Sequence, residues 1–193
     1  MYLFFDTETT GLPARFDADF CDVDNWPRMV QLGFLAYDDS GKLQDSADMI
    51  IKPEGFTIPE EVVRIHGIST ERALADGVGL SEALEKFVCA LDEASVLVSH
   101  NIDFDHKIVG AELYRFGLHS DVETLKEIKK FCTMKSTTDF CAIPKDGYGY
   151  KWPTLSQLHW KLFAKEFSGM HSAYQDAEAC ARCFFKLKEL QEK

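Results

Sequence analysis

The sequence predicts an α/β layered domain built on a mixed sheet. Tyr2-Leu3-Phe4-Phe5 is a continuous apolar run, the pattern of a central strand buried on both faces. Two more strand-like runs follow, Met29–Tyr37 and Leu43–Ile51, joined by the turn residues Asp38-Asp39-Ser40-Gly41. Beyond them, helical periodicity alternates with short apolar runs, as in layered α/β domains.

The elements can be justified in order. Asp6 marks the exit of the first strand, and residues 14–28 read as an irregular insertion after the Gly11-Leu12-Pro13 turn. The 29–51 pair reads as an antiparallel hairpin beside the first strand. Pro59–His66 suggests a short helix with proline in its first turn. A second begins at Ser81 and carries Leu84, Phe87, Val88 and Leu91 at helical spacing. Ser95–Ser99 is a short strand. From Asp103 a helix carries Phe104, Ile108, Val109, Leu113 and Phe116 and stops at Gly117. Phe131–Met134 reads as a last short strand and Thr154–Phe163 as a helix. Ser172-Ala173-Tyr174-Gln175 has the form of a capping box, followed by Ala177, Ala181, Phe184 and Leu187 on one helical face.

Composition narrows the class. The 193 residues are 46% hydrophobic, enough for one core spanning 1–193, with no linker, repeat or low-complexity tract. Neither a secretory signal nor a membrane span is readable. The six cysteines are scattered; the Cys180/Cys183 pair lies in a helical pattern and reads as packing. Free thiols suit a reducing cytoplasm. The net charge of −11 argues against a passive coat for phosphate backbones. It argues less against a site where bound cations invert the local charge. Residues 126–165 hold eight lysines against Glu127, Asp139 and Asp146, a basic stretch on an acidic chain.

Four acids and one histidine stand out. Asp6 and Glu8 are two apart on a strand, so both carboxylates point to one side. Asp105 falls in the first turn of its helix. His171 precedes the last helix and Asp176 lies one turn into it, so a loop histidine and a helical acid can reach one cleft. Carboxylates from distant segments repel and lose hydration when gathered, and a divalent cation is the natural occupant between them. A histidine side chain ordinarily titrates near neutrality, which suits a general base acting on water.

These residues carry a family resemblance. Asp6-x-Glu8-Thr9-Thr10-Gly11 resembles the first motif of the DnaQ-like (DEDDh) 3′–5′ exonucleases. His100-Asn101-x-x-Phe104-Asp105 is similar to their second, and His171-x-Ala173-x-x-Asp176-Ala177 to the histidine form of their third. Val63-x-x-His66-Gly67-Ile68-Ser69 and Lys151-x-Pro153-x-Leu155-x-x-Leu158 resemble connecting signatures in the same order. The resemblance implies a ribonuclease H-like three-layer fold with a mixed five-stranded sheet. It also implies two divalent ions, Mg²⁺ or Mn²⁺, and release of nucleotides from a 3′ end. Asp6 would be shared by both ions, Glu8 and Asp176 would hold the water-activating one, and Asp105 would support the second. His171 would accept the proton. Thr9 and Thr10 would offer backbone N–H groups to the substrate, with His66 and Phe104 flanking the terminal nucleotide.

Phe104 fits base stacking and core packing equally. The Tyr148-Gly149-Tyr150-Lys151-Trp152 loop favours turn packing over base contact. The acids of the insertion, Asp17, Asp19, Asp22 and Asp24, would repel a long duplex and favour short or single-stranded ends. They lack the glycine and terminal glutamate of an EF-hand, which excludes a calcium loop. Expected partners are DNA or RNA 3′ ends and a DNA polymerase or other replication protein, with no membrane. An oligoribonuclease-like RNA trimmer and a catalytically silent binding module remain the rival readings.

Overall fold

The computed structural model describes residues 1–167 and 170–191. Its sheet is formed by β1 (Tyr2–Thr9), β2 (Met29–Tyr37), β3 (Leu43–Ile50), β4 (Val96–Ser99) and β5 (Lys129–Cys132). The strand order is β3-β2-β1-β4-β5. The first three strands pair antiparallel, whereas β4 runs parallel to both β1 and β5, so the sheet is mixed. Helices α1 (Glu60–His66), α2 (Thr70–Asp76) and α3 (Leu80–Asp92) lead from β3 to β4. Helices α4 (Ile102–Phe116) and α5 (His119–Glu127) lead on to β5. After β5 come α6 (Thr133–Ser136), α7 (Thr138–Cys141), α8 (Leu155–Phe163) and α9 (Ala173–Gln191).

The period of two in β1 sorts its side chains between two helical layers. Leu3 and Phe5 face a core shared with Leu84, Phe87 and Leu91 of α3 and with Ile108 and Val109 of α4. Phe4 faces the other way, against Val98 and the α9 residues Cys180, Ala181 and Phe184. The Phe4 and Phe184 rings meet nearly edge to face, 5.3 Å between centroids. Burying each such side chain is worth about 1.5–3 kcal/mol. Cys180 and Cys183 are buried free thiols in α9, matching the packing role expected for them.

Several boundaries differ from the sequence reading. Asp6 is not the exit of β1. The strand runs on to Thr9 because β2 keeps pairing with it, through Asp6↔Gly33 and Glu8↔Gln31. β4 stops pairing with β1 at Phe4↔Val98, so the acids sit on a stretch flanked by β2 on one side only. β5 starts at Lys129, and Thr133 and Met134 open α6 instead of extending the strand. α2, α5, α6 and α7 are short elements that hydrophobic periodicity does not announce. Thr154 caps α8 through a reciprocal capping box with Gln157.

The 14–28 segment is irregular, as expected, but it is held firmly. Ala18, Phe20 and Trp26 are buried in the main core. Lys107 donates to the Ala18 carbonyl at 2.8 Å, and Arg115 donates to the carbonyls of Val23 and Trp26. The fully buried Glu112 accepts from Arg28 Nε and from the Met29 N–H, each at 2.9 Å. The segment is therefore clamped along α4. Arg15 pairs with Asp22 at 3.0 Å, and the Cys21 N–H, then Lys107 and Lys126, hold the Asp19 carboxyl down against its burial, so half of the segment's acids are locally compensated. Neutralising Asp17, Asp19, Asp22 and Asp24 therefore tests duplex repulsion without removing core side chains such as Ala18 and Phe20. Tyr148, Tyr150 and Trp152 are exposed, contrary to the expected turn packing. Among the described residues no helix is long and apolar enough to cross a membrane.

Candidate metal centre

The centre is assembled where β1 outruns β4. Pairing with β2 fixes Asp6 and Glu8 at alternate positions, so both project to the α9 side of the cleft. α9 reaches them because β2 is shaped to receive its first turn. Gln31 Oε1 accepts from the Ala173 N–H at 3.1 Å, and Gln31 Nε2 donates to Asp48 at 2.6 Å. Gln31 thus fixes the start of the helix across the sheet. The Ser172 carbonyl accepts from the Asp176 N–H at 2.9 Å, which sets Asp176 one turn in. One oxygen each from Asp6, Glu8 and Asp176 then lie within 4.8 Å of one another.

Asp105 approaches from the opposite side and is 3% exposed. Its Oδ1 accepts from the Thr7 N–H at 3.0 Å and from Thr7 Oγ1 at 2.8 Å; its Oδ2 accepts from Ser99 Oγ at 2.8 Å. The Thr7 N–H is free for this bond because the β1–β4 ladder has already ended. Asp105 lies outside the three-oxygen group but close enough to push up the carboxyls of Asp6 and Glu8.

The electrostatics match that crowding. Burial, then repulsion from Asp105, Asp176 and Glu8, raises Asp6 well above the carboxylate range. Burial, then Asp176 and Asp105, raises Glu8 to about 8. Burial raises Asp105 to about 6 although its three donors pull it down. Burial raises Asp176 to about 6, opposed by the His171 N–H and imidazole. Four carboxyls kept from ionising freely are a site built for positive charge. An all-oxygen donor set suits Mg²⁺ or Mn²⁺ better than structural zinc.

His171 is exposed on the loop before α9, with its N–H donating to Asp176 Oδ2 at 3.1 Å. Its φ of 68° is a left-handed conformation uncommon outside glycine. Such conformations persist where the surroundings hold them, and they cluster at functional sites. His66 is close to both His171 and Thr9. Its Nδ1 accepts from the Ile68 N–H at 3.1 Å, so Nε2 carries the proton. That nitrogen is buried beside the Thr9 carbonyl without reaching hydrogen-bond geometry. Burial and His171 push the His66 ring's pKa down.

The other expected contacts fare unevenly. Thr9 is buried and its hydroxyl donates to the Gly11 carbonyl at 2.7 Å. The Thr10 N–H is already bound to the Arg28 carbonyl at 2.9 Å, so Thr10 closes the loop and does not offer that donor. Phe104 is half-buried against the main core. Thr7, Ser99, Gln31 and Gly33 hold the centre together and escaped the sequence reading. Only Gly33 carried a usable signal: an isolated glycine inside an apolar strand marks a close backbone approach.

Residues 3–184 match the family described as Exonuclease, RNase_T. The chain belongs to this exonuclease family. The DnaQ-like resemblance carried by the motifs agrees with its relatives. It is 27% identical over 193 residues to the DNA polymerase III PolC-type of Caldanaerobacter subterraneus subsp. tengcongensis, covering 99% of this chain and 12% of that protein. It is 31% identical over 109 residues to the DNA polymerase III subunit epsilon of Treponema pallidum, covering 56% of this chain and 44% of the subunit. Among solved structures, E. coli exonuclease I in complex with a dT13 oligonucleotide superposes with a TM-score of 0.74 at 19% identity. That match covers 97% of this chain and 40% of exonuclease I, and at such identity the likeness is one of fold. The three-layer, ribonuclease H-like arrangement around a mixed five-stranded sheet is the shared feature.

Proposed function

We propose that this exonuclease-family chain is a metal-dependent 3′–5′ exonuclease of the DEDDh type. It would act as a single domain over residues 1–193 and release nucleoside monophosphates from single-stranded or short DNA ends. The observation that carries this reading is the convergence of Asp6, Glu8 and Asp176 within 4.8 Å, with the buried Asp105 beside them. Their raised pKa values and all-oxygen chemistry fit two divalent cations, Mg²⁺ or Mn²⁺. Bound, such ions would supply charge neutralisation at the scissile phosphate and a more acidic water.

The chain's own residues divide the remaining work. Asp6, Glu8 and Asp176 would hold the cations, with Asp6 between the two positions. Asp105, clamped by Thr7 and Ser99, would support the second cation. His171, on the exposed loop before α9, would take the proton from the attacking water. Thr9, His66 and Phe104 would border the terminal nucleotide.

DNA is favoured as substrate because exonuclease I, whose fold this chain shares, is described in complex with oligonucleotides such as dT13. The relatives named as polymerase III proteins favour work beside a DNA polymerase. The test is digestion of 5′-labelled single-stranded DNA and RNA in Mg²⁺, Mn²⁺ or EDTA. A metal-dependent ladder shortening from the 3′ end, faster on DNA and abolished by Asp6→Ala, is the expected result. Near-normal turnover by Asp6→Ala would overturn the metal scheme, and faster RNA cleavage would overturn the substrate.

A further inference from the structure

The segment between α7 and α8 folds into a small hairpin anchored to the core through Ile143, which packs against Cys141, Leu158 and Cys183. Pro144 and Tyr150 form an antiparallel bridge, and the Lys151 N–H donates to the Ile143 carbonyl at 3.0 Å. The turn passes through Gly147 and Gly149, with φ of 88° and 86°. This order does not bury the hairpin's aromatic rings. Tyr148 is 99% exposed, Trp152 60% and Tyr150 44%. Three large rings left in water on one short segment are a cluster that calls for an occupant.

The chain just past the hairpin contacts two segments that lead into the metal centre. His100 follows Ser99, which holds Asp105. Burial pushes His100 down to about 4, so the ring is neutral near pH 7. Its Nε2 lies 3.0 Å from the Pro153 carbonyl, which can only accept, so that nitrogen carries the proton and Nδ1 accepts from Thr133 Oγ1 at 3.0 Å. On the other side, Ser156 Oγ donates to Met170 Sδ at 3.0 Å, and Met170 precedes His171. Trp152 thus precedes a residue whose carbonyl is held by His100, and Ser156 of α8, four positions on, touches the residue before His171.

The charge of this region suits a polyanion. Lys145 precedes the rings and Lys151 stands between Tyr150 and Trp152, with Asp146 as the hairpin's one acid, on a chain of net charge −11. Exposed rings with lysines beside them are what a sequence-tolerant single-strand site needs: π-faces for bases and cations for phosphates.

We propose that the 143–152 hairpin is a stacking platform for single-stranded DNA. Tyr148, Tyr150 and Trp152 would receive bases upstream of the terminal nucleotide, while Lys145 and Lys151 meet the phosphates. This rests on the exonuclease reading and adds a substrate subsite to it. The platform makes the enzyme prefer strands several nucleotides long over the shortest substrates, and it is indifferent to base identity.

The test compares two substrates in Mn²⁺: a thymidine dinucleotide, which ends before the platform, and an oligothymidylate of about twelve residues, which would cover it. The variant is the intact chain carrying Tyr148→Ala, Tyr150→Ala and Trp152→Ala. The expected result is a KM on the longer strand raised about 10-fold or more, with kcat kept and dinucleotide cleavage unchanged. Unchanged dinucleotide cleavage also reports an intact fold. Loss on both substrates alike, or on neither, overturns the platform. Cleavage of neither substrate by the unaltered chain overturns the exonuclease reading, and the platform with it. As a separate check, oligothymidylate added in EDTA should quench tryptophan fluorescence in the unaltered chain and lose most of that quenching in Trp152→Phe. Equal quenching in both would place the strand elsewhere.

Discussion

Gly33 and Tyr174 meet backbone to backbone: a Cβ added to Gly33 would lie 2.1 Å from the Tyr174 amide nitrogen. Gly33 is also the ladder partner of Asp6. One missing side chain on β2 therefore lets the first turn of α9 settle over the strand that carries the metal-facing acids. Gly33→Ala leaves no room for that contact, and the obstruction is backbone, which cannot rotate away. Overpacking of this kind costs about 1–3 kcal/mol, and the displaced helix carries Asp176 with it. The expected outcome is a lower Tm and exonuclease activity reduced at least 10²-fold, about the loss that 1 Å misplacement can cause. Activity within twofold of the parent would show that α9 does not need this approach.

The clamp on Asp105 gives a second prediction. Ser99 Oγ and both donors of Thr7 stabilise the ionised carboxylate, yet burial still raises it to about 6. Removing the Ser99 hydroxyl takes away a hydrogen bond to a buried charge, worth about 1.5–3 kcal/mol. Ser99→Ala should therefore raise the Asp105 pKa further and move the acid limb of the pH–rate profile to higher pH. The profile of kcat/KM in Mg²⁺ reads this directly. An unmoved acid limb would mean that Asp105 does not titrate in the active enzyme.

Metal binding and proton release should be coupled. In the folded chain Glu8 titrates near 8 against an ordinary 4.5, and Asp6 is raised as well. Between the ordinary carboxylate range and about 8, the folded metal-free protein holds more protons than the unfolded chain. Raising the pH through that window therefore lowers its stability. His100 and His106, both pushed down to about 4 from 6.5, act in the opposite sense below pH 6.5. The clean window therefore runs from about 6.5 to 8. In EDTA the Tm should fall across it, and Mn²⁺ should raise the Tm more at pH 8 than at pH 6.5, because fewer protons must be displaced. Glu8→Gln should flatten the slope in EDTA. A Mn²⁺ effect independent of pH would argue that the cation binds elsewhere.

The metal-facing acids are legible in the sequence because gathering carboxylates has few structural reasons. Asp6, Glu8 and Asp176 are each ordinary alone and informative together. Their holders are not legible. Thr7 and Ser99 are strand hydroxyls with no periodic signature, and Gln31 sits in an apolar run where a polar residue reads as noise. The 14–28 segment misleads for a related reason: its aspartates dominate the composition while Ala18, Phe20 and Trp26 do the folding. Hydrophobic spacing finds α3, α4, α8 and α9, whose apolar faces cover the sheet or α9, and misses α6 and α7, which are only four residues each.

His171 can be tested with its backbone kept in place. Its φ of 68° penalises alanine, because left-handed backbone costs most non-glycine residues roughly 1–2 kcal/mol, whereas asparagine adopts it readily. The N–H that binds Asp176 Oδ2 at 3.1 Å survives either substitution. His171→Asn therefore isolates the imidazole, while His171→Ala adds the backbone penalty. Both should lower kcat about 10²–10⁴-fold, the usual size of general-base catalysis, with the Mn²⁺-induced rise in Tm retained. His171→Ala alone should also lower the Tm. If His171→Asn kept the parental rate and pH profile, the imidazole would not be the base, and the left-handed loop would serve only to aim its N–H at Asp176.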